Sequence, residues 1–270
     1  MKERAGISAA FAEPAEAGRS VDAFHRGDFW VVQPTGRGHR SGMDAMMLAA
    51  AVPGGFSGRL ADLGAGAGAA GLAVLSRCPQ ASALLVERAP DMAGFARQTI
   101  ALPQNGRIAG RAEVLEADVT LAGNARVAAG LADGAFDFAI MNPPFNARHD
   151  RPTPDALKRD AHVMEGDLFE KWTRTAAAIV KPGGGIAIIA RPDSLETMLA
   201  ALRGRFGGLA VVPVLPRDTE PAIRLILRGT RGSRKALSVH PPLVLHGAKG
   251  SGHAPRADLI CNGRLSLFGD

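Results

Sequence analysis

The sequence predicts a doubly wound α/β fold: a mostly parallel sheet of seven strands, helices on both faces, and an antiparallel hairpin at the end. Three observations carry this expectation. From Arg59 onward five short apolar runs alternate with helical patterns, the order of a parallel sheet. A glycine-rich turn, Gly64-Ala65-Gly66-Ala67-Gly68, follows the first run and leads into a helix. Two late runs, near 209–215 and 223–227, leave no room for a helix between them and should pair as a hairpin.

Each element has its own signal. Residues 1–24 are small, polar and weakly patterned, and are expected to form a flexible arm. Residues 25–230 should form the domain, with 231–270 an extension packed on or beside it. Phe29 to Gln33 reads as a strand ended by Pro34. Ser41 is placed to cap a helix whose Met43, Met46, Met47 and Leu48 form a core stripe, closed by Pro53. Strands are expected at 60–63, 83–86, 112–115, 136–141 and 185–190. Helices are expected at 69–75, from Pro90 with Met92, Phe95 and Ile100 on one face, at 121–131, through Leu168, Trp172 and Ile179, and at 195–202. Lys181-Pro182-Gly183-Gly184-Gly185 should stop the fourth of these helices.

Composition narrows the function classes. With 46% hydrophobic residues in 270, the chain can bury a substantial core and is not disordered throughout. Two cysteines, Cys78 and Cys261, exclude a disulfide scaffold and suit a reducing, cytoplasmic compartment. No run of about 18 apolar residues predicts a membrane span, and the start lacks the apolar core of a secretory signal. The net charge is +6 and the pI is near 10.0. Six of the 32 basic residues are lysine, so 26 are arginine. That balance fits a polyanionic partner, and equally a compositional bias that raises Arg, Ala and Gly together.

Four features carry chemistry. In Asp62-Leu63-Gly64-Ala65-Gly66-Ala67-Gly68 the glycines permit a tight turn and close backbone approach by a ligand, and the following helix start offers free N–H groups. Glu87 ends the second strand about twenty residues later, where an acid can accept both ribose hydroxyls of a nucleoside. Asp118 ends the third strand and could meet an adenine amino group. Asn142-Pro143-Pro144-Phe145 follows the fourth strand. Its two prolines remove backbone donors and stiffen the turn, leaving carbonyl acceptors and the Asn142 amide beside an aromatic plate. That combination suits a planar ring bearing an amine. Arg148, His149, Arg151, Lys158 and Arg159 follow, and Arg224, Arg228, Arg231 and Arg234 form a second basic group at the hairpin. Either could take phosphates, or be a solvated face. The cysteines and histidines show no metal-ligand spacing, so no metal is expected.

These motifs, in this order, resemble the Rossmann-like class I S-adenosylmethionine-dependent methyltransferases of the N-P-P-[FY] branch. Within it the chain is similar to the bacterial group that methylates adenine N6 in valine tRNA, the added match being Gln33-Pro34 and Arg40-Ser41-Gly42-Met43-Asp44-Ala45. The resemblance covers roughly residues 25 to 230. It implies a cofactor site at Gln33, Asp44, Asp62, Gly64, Ala65, Gly66, Gly68, Glu87, Arg88, Asp118, Val119 and Asn142. It implies that Asn142, Pro143, Pro144 and Phe145 hold the target amine and stack its base, and that Arg148, Arg151, Lys158 and Arg159 meet RNA. With no tyrosine in the chain, stacking would otherwise fall to Trp30 or to arginine planes.

The motifs leave other readings open. A protein-glutamine methyltransferase shares N-P-P but usually has a helical domain of about seventy residues before the cofactor loop. A ribosomal-RNA guanine methyltransferase usually continues N-P-P-F-H, where this chain has Asn146. A dinucleotide oxidoreductase would explain the glycines and not N-P-P-F. A nucleic-acid-binding module could keep the fold without catalysis.

Overall fold

A computed structural model describes residues 18–35, 40–144, 168–247 and 252–270. Among them, strands β3 (Arg59–Leu63), β4 (Ser82–Glu87), β5 (Ala112–Glu116), β6 (Phe136–Met141) and β7 (Val180–Ala190) are the parallel set. β8 (Phe206–Leu215) and β9 (Arg224–Arg231) form the expected hairpin, and β9 inserts between β8 and β7. The full order is β10-β8-β9-β7-β6-β3-β4-β5. The seven expected strands are therefore present, but the hairpin is not the rim. Two-residue strands β10 (Ser238–Val239) and β11 (Leu243–Val244) pair in parallel with the outer side of β8 and bring the sheet to nine.

Alternation along the strands divides the interior in two, because neighbouring residues of a strand face opposite sides. Leu60, Leu85, Ile140, Ile189 and Ile226 enter one core. Ala61, Leu84, Val86, Met141, Ile188 and Leu227 enter the other. Helices α1 (Met43–Ala50), α2 (Ala69–Arg77) and α3 (Pro90–Ala101) cover the first face. A short turn, α4 (Gly106–Ala109), adds Ile108 to it. On the second face lie α6 (Leu168–Ile179) and α7 (Leu195–Leu202). Between β5 and β6, α5 spans only Gly123–Ala128, shorter than the alanine pattern of 121–131 suggests. Gly130 in the left-handed region ends it early.

Three expectations need correction. The arm does not extend to residue 24, because β1 (Arg19–Phe24) pairs antiparallel with β2 (Phe29–Pro34) along its whole length. Its Arg-Ser-Val-Asp-Ala-Phe pattern is too polar to read as a strand, and β2 supplies the hydrogen-bonding edge. Ser41 does not cap α1: Gly42 holds the cap position, and the Ser41 N–H donates to Gln33 Oε1 at 2.6 Å. The run Lys181–Gly185 does not lie between a helix and a strand but inside β7. Register with β6 slips between Phe136↔Val180 and Phe138↔Gly185, so the breakers form a bulge. A side chain at Gly185 would strike the Phe138 ring, 3.0 Å from Cζ and closer to Cε2, so the packing here needs glycine.

Residues 231–270 join the same body. Besides β10 and β11 they supply α8 (Pro255–Cys261), whose Ala257, Ile260 and Cys261 enter the first core. The Leu267 N–H donates to the Ala50 carbonyl at 2.7 Å, and the Gly54 N–H to the Asp270 carbonyl at 2.9 Å.

Candidate active site

Strand register alone brings the motifs together. Leu63 lies opposite Val86 on one side and Met141 on the other. The next residues, Gly64, Glu87 and Asn142, therefore sit side by side where the parallel strands end. Glu87 pairs with Glu116, which places Asp118 two residues further on at the same edge. Strand order reverses between β3 and β6, and in open α/β sheets such a switch point opens a crevice for ligands.

Within the loop each residue has a separate task. Gly64, Gly66 and Gly68 have φ of +74°, +57° and +90°. The Gly64 and Ala65 N–H groups both donate to the Val86 carbonyl, at 2.9 and 3.0 Å, holding the loop against β4. Ala65 is buried. A Cβ on Gly64 would enter the Trp172 ring, 2.9 Å from Cζ3 and nearer still to Cη2. A Cβ on Gly68 would lie 2.8 Å from Leu85 Cδ1. At Gly66 the nearest neighbour of a Cβ would be Met92 Cε at 3.7 Å, so its backbone can be approached from outside the protein.

Two carboxylates brace the loop. Asp62 is buried, and its Oδ2 accepts from the Gly71 N–H at 2.8 Å, tying the end of β3 to the first turns of α2. Burial pushes its pKa up to about 7, and the nearby Glu87 charge adds to the rise. Half-buried Glu87 accepts from the Gly66 N–H at 2.9 Å through Oε2 and from the Ala89 N–H at 2.8 Å through Oε1. Asp118 Oδ1 accepts from the Thr120 N–H at 2.7 Å, which shapes the turn after β5. Val119 is buried in the second core, and Arg88 is exposed beside Glu87. Pro143 is buried, while Asn142 and Pro144 are half-buried at the end of β6.

Gln33 and Asp44 reach this edge with their polar atoms engaged. Gln33 Nε2 donates to Asp22 Oδ2 at 2.7 Å, and its Oε1 accepts from Ser41, so this buried amide joins β1, β2 and the start of α1. Asp44 Oδ2 accepts from Arg224 Nε at 2.9 Å. Phe145, Arg148, His149, Arg151, Lys158, Arg159 and His162 lie outside the described residues.

The second basic group does not form one surface. Arg224 pairs with Asp44; Arg228 pairs with Asp270 at 2.8 Å and lies over the Phe268 ring at 4.1 Å; Arg231 donates to the Val180 carbonyl. These three are spaced along β9 and each finds an internal acceptor, whereas Arg234 lies beyond the strand and is exposed. Trp30 also lies away from the site. Its backbone bonds Asn105, beyond the carboxyl end of α3, whereas the crevice is at the α3 start. Trp172 is the residue that sequence patterning missed. It reads as an ordinary apolar helix position, yet its ring backs the first glycine of the loop. The glycine itself was the available signal, since a bare backbone at a strand end invites a large neighbour.

The edge thus carries an approachable loop backbone, two half-buried carboxylates, Glu87 and Asp118, and the Asn142-Pro143-Pro144 turn on the neighbouring strand end. That arrangement suits a cationic nucleoside on one side and a donor-bearing planar group on the other. Comparison with known proteins identifies the family. The profile of the family described as "Methyltransferase small domain" matches residues 40–213. A crystal structure from Agrobacterium tumefaciens, described as a predicted O-methyltransferase, shares 42% identity, covers 83% of this chain and 98% of its own, and superposes with a TM-score of 0.73. A protein of Porphyromonas gingivalis named tRNA1(Val) (adenine(37)-N6)-methyltransferase is 29% identical over 232 residues, 81% of this chain and 86% of that one. The release factor glutamine methyltransferase of Bifidobacterium longum is 32% identical over 134 residues, 46% of this chain and 44% of its own.

Proposed function

The chain belongs to the methyltransferase small domain family and is an S-adenosylmethionine-dependent methyltransferase, and from that premise we propose that it methylates an exocyclic amine, adenine N6 in tRNA. The observation that carries the proposal is the placement of Asn142-Pro143-Pro144 beside Gly64 at the switch point. When bound, the cofactor supplies a methyl group on a positively charged sulfur that departs as a neutral thioether. Gly66 would leave room for its approach, Glu87 would accept from its ribose, Asp118 and Val119 would border its adenine, and Glu87 and Asp118 would give the edge a negative bias.

The acceptor side does the rest by positioning. An amine conjugated to a ring has a delocalised lone pair and is a poor nucleophile. The Asn142 amide oxygen and the Pro143 carbonyl accept from its two protons, favouring a more tetrahedral nitrogen whose lone pair points out of the ring plane, and the methylated nitrogen then sheds one of these protons to water. Pro143 and Pro144 keep the turn stiff. Phe145 stacks the base, which an RNA must first unstack. Arg148, Arg151, Lys158 and Arg159 take flanking phosphates. Asn142 has no basic group with which to deprotonate a hydroxyl, which supports the amine over an oxygen acceptor. The similarity to the P. gingivalis protein supports tRNA over a peptide, because it extends over most of both chains.

The test is nucleoside mass spectrometry of tRNA incubated with the full chain and S-adenosylmethionine. N6-methyladenosine should form, and Asn142→Ala should lower its rate of formation by about two orders of magnitude at saturating S-adenosylmethionine, with S-adenosylhomocysteine still bound. Methylation of a glutamine peptide or of a hydroxyl instead of tRNA would overturn the substrate assignment. Undiminished transfer by Asn142→Ala would overturn the mechanism.

A further inference from the structure

Two histidines of the C-terminal extension stand side by side outside the site described above. His246 and His253 oppose each other across an antiparallel bridge. The Ala254 N–H donates to the Leu245 carbonyl at 2.8 Å, which makes 246 and 253 a non-hydrogen-bonded pair. In that register directly opposed side chains share a face and come closest. Their ring centroids are 5.6 Å apart, with planes at 39°.

Tautomer and spacing both favour a shared ligand. His246 Nδ1 lies 3.3 Å from the Gly252 carbonyl, and a carbonyl only accepts, so the ring proton is on Nδ1 and the Nε2 lone pair is left for coordination. Metal-bound histidines are oriented in this way by a carbonyl behind the ring. With metal–nitrogen bonds of about 2.0–2.1 Å, each ring centroid stands about 3.2 Å from the ion. Centroids 5.6 Å apart then subtend about 120° at the metal, an angle open to tetrahedral or trigonal coordination.

We propose that His246 and His253 together bind one divalent late transition-metal ion, Zn2+, Ni2+ or Cu2+, with water completing its coordination. Imidazole suits these ions, and Cu2+ should bind best. Among the described residues no group of three or more His, Cys, Asp or Glu is placed to hold a metal. The site is therefore an open, reversible one and not a closed structural centre. Its position gives it a role as a clip. His246 N–H donates to the Pro216 carbonyl just past β8, and α8 starts two residues after His253. The ion fastens the start of α8 to the end of β8, on the edge that carries the active site.

Copper EPR on the full, untagged chain, stripped with chelator, tests this. One Cu2+ per chain should bind, with hyperfine coupling to two imidazole nitrogens. Zn2+ should displace it and raise the melting temperature. His246→Ala and His253→Gln should each leave one coupled nitrogen, weaken binding at least tenfold and abolish the Zn2+ shift, while circular dichroism confirms the fold. His240→Ala should change nothing. A two-nitrogen signal that survives the double substitution, or the absence of bound copper in the wild type, overturns the proposal.

Discussion

Substituting Gly64 by alanine separates the two demands on the cofactor loop. The new Cβ would lie within 3 Å of the Trp172 ring, which is buried and cannot swing aside, and φ there is +74°. Forcing a methyl into a packed site costs about 1–3 kcal/mol. Placing a non-glycine residue in the left-handed region costs about 1–2 kcal/mol more. The sum, about 2–5 kcal/mol, should lower the melting temperature by roughly 5–15 °C for a chain of this size. Gly66→Ala is the internal control. Its φ of +57° carries the same backbone cost, but the nearest atom is 3.7 Å away, so only about 1–2 kcal/mol is lost. Thermal melts of both variants, alone and with Trp172→Leu, form a double-mutant cycle. Trp172→Leu should recover the packing part in Gly64→Ala and nothing in Gly66→Ala. The reasoning fails if the two alanine variants melt together, or if removing the indole gives no relief.

Asp62 and His25 should tilt stability in opposite directions with pH. Burial raises Asp62 to about 7, so its contribution is fully present below about 3.8 and is lost as pH rises through 7. Burial lowers His25 to about 4, reinforced by Arg77, so its contribution is present above about 6.5 and lost as pH falls through 4. Denaturant titrations of wild type should therefore be nearly flat between those limits. Asp62→Asn keeps the Gly71 bond, gains up to about 4 kcal/mol over wild type at pH 8, and exposes the His25 slope; parallel profiles would refute it. Arg228→Ala removes the Asp270 pair and the stack on Phe268, and should cost about 1–2 kcal/mol. Faster hydrogen exchange at the Leu267 amide, bound to Ala50, would confirm where the loss occurs.

The meeting of the motifs at one sheet edge was legible because their signals are local. A strand followed by Asp62–Gly68, an acid ending the next strand, and Asn142-Pro143-Pro144 ending another each announce themselves within a few residues, and parallel register then aligns them. What escaped depends on distant partners. β1 forms because β2 offers an edge, and β10 and β11 are too short to show a period. Glycines read as helix breakers at Gly184 and Gly185 are sites of close packing in β7. The arginines of β9 carry charge in the sequence, but only the fold reveals that Asp44, Asp270 and the Val180 carbonyl receive it. The Gln33 amide likewise meets Asp22 and Ser41, partners that only the fold reveals.

Glu87 gives the glycine loop a property that reaches beyond geometry. One carboxylate oxygen holds the Gly66 N–H and the other the Ala89 N–H, so both ends of this side chain face donors. A glutamine of the same shape would have to turn its NH2 against one of them. Only an acid satisfies both, and each oxygen keeps a second lone pair for a hydroxyl. Loop shape and, in the proposed function, nucleoside recognition thus hang on one residue, and neither can drift without the other. The rotamer is also fixed as the chain folds, so the entropy of arranging the site is lost then and not again at each encounter. Turnover repeats many times over the life of a molecule, and folding happens once.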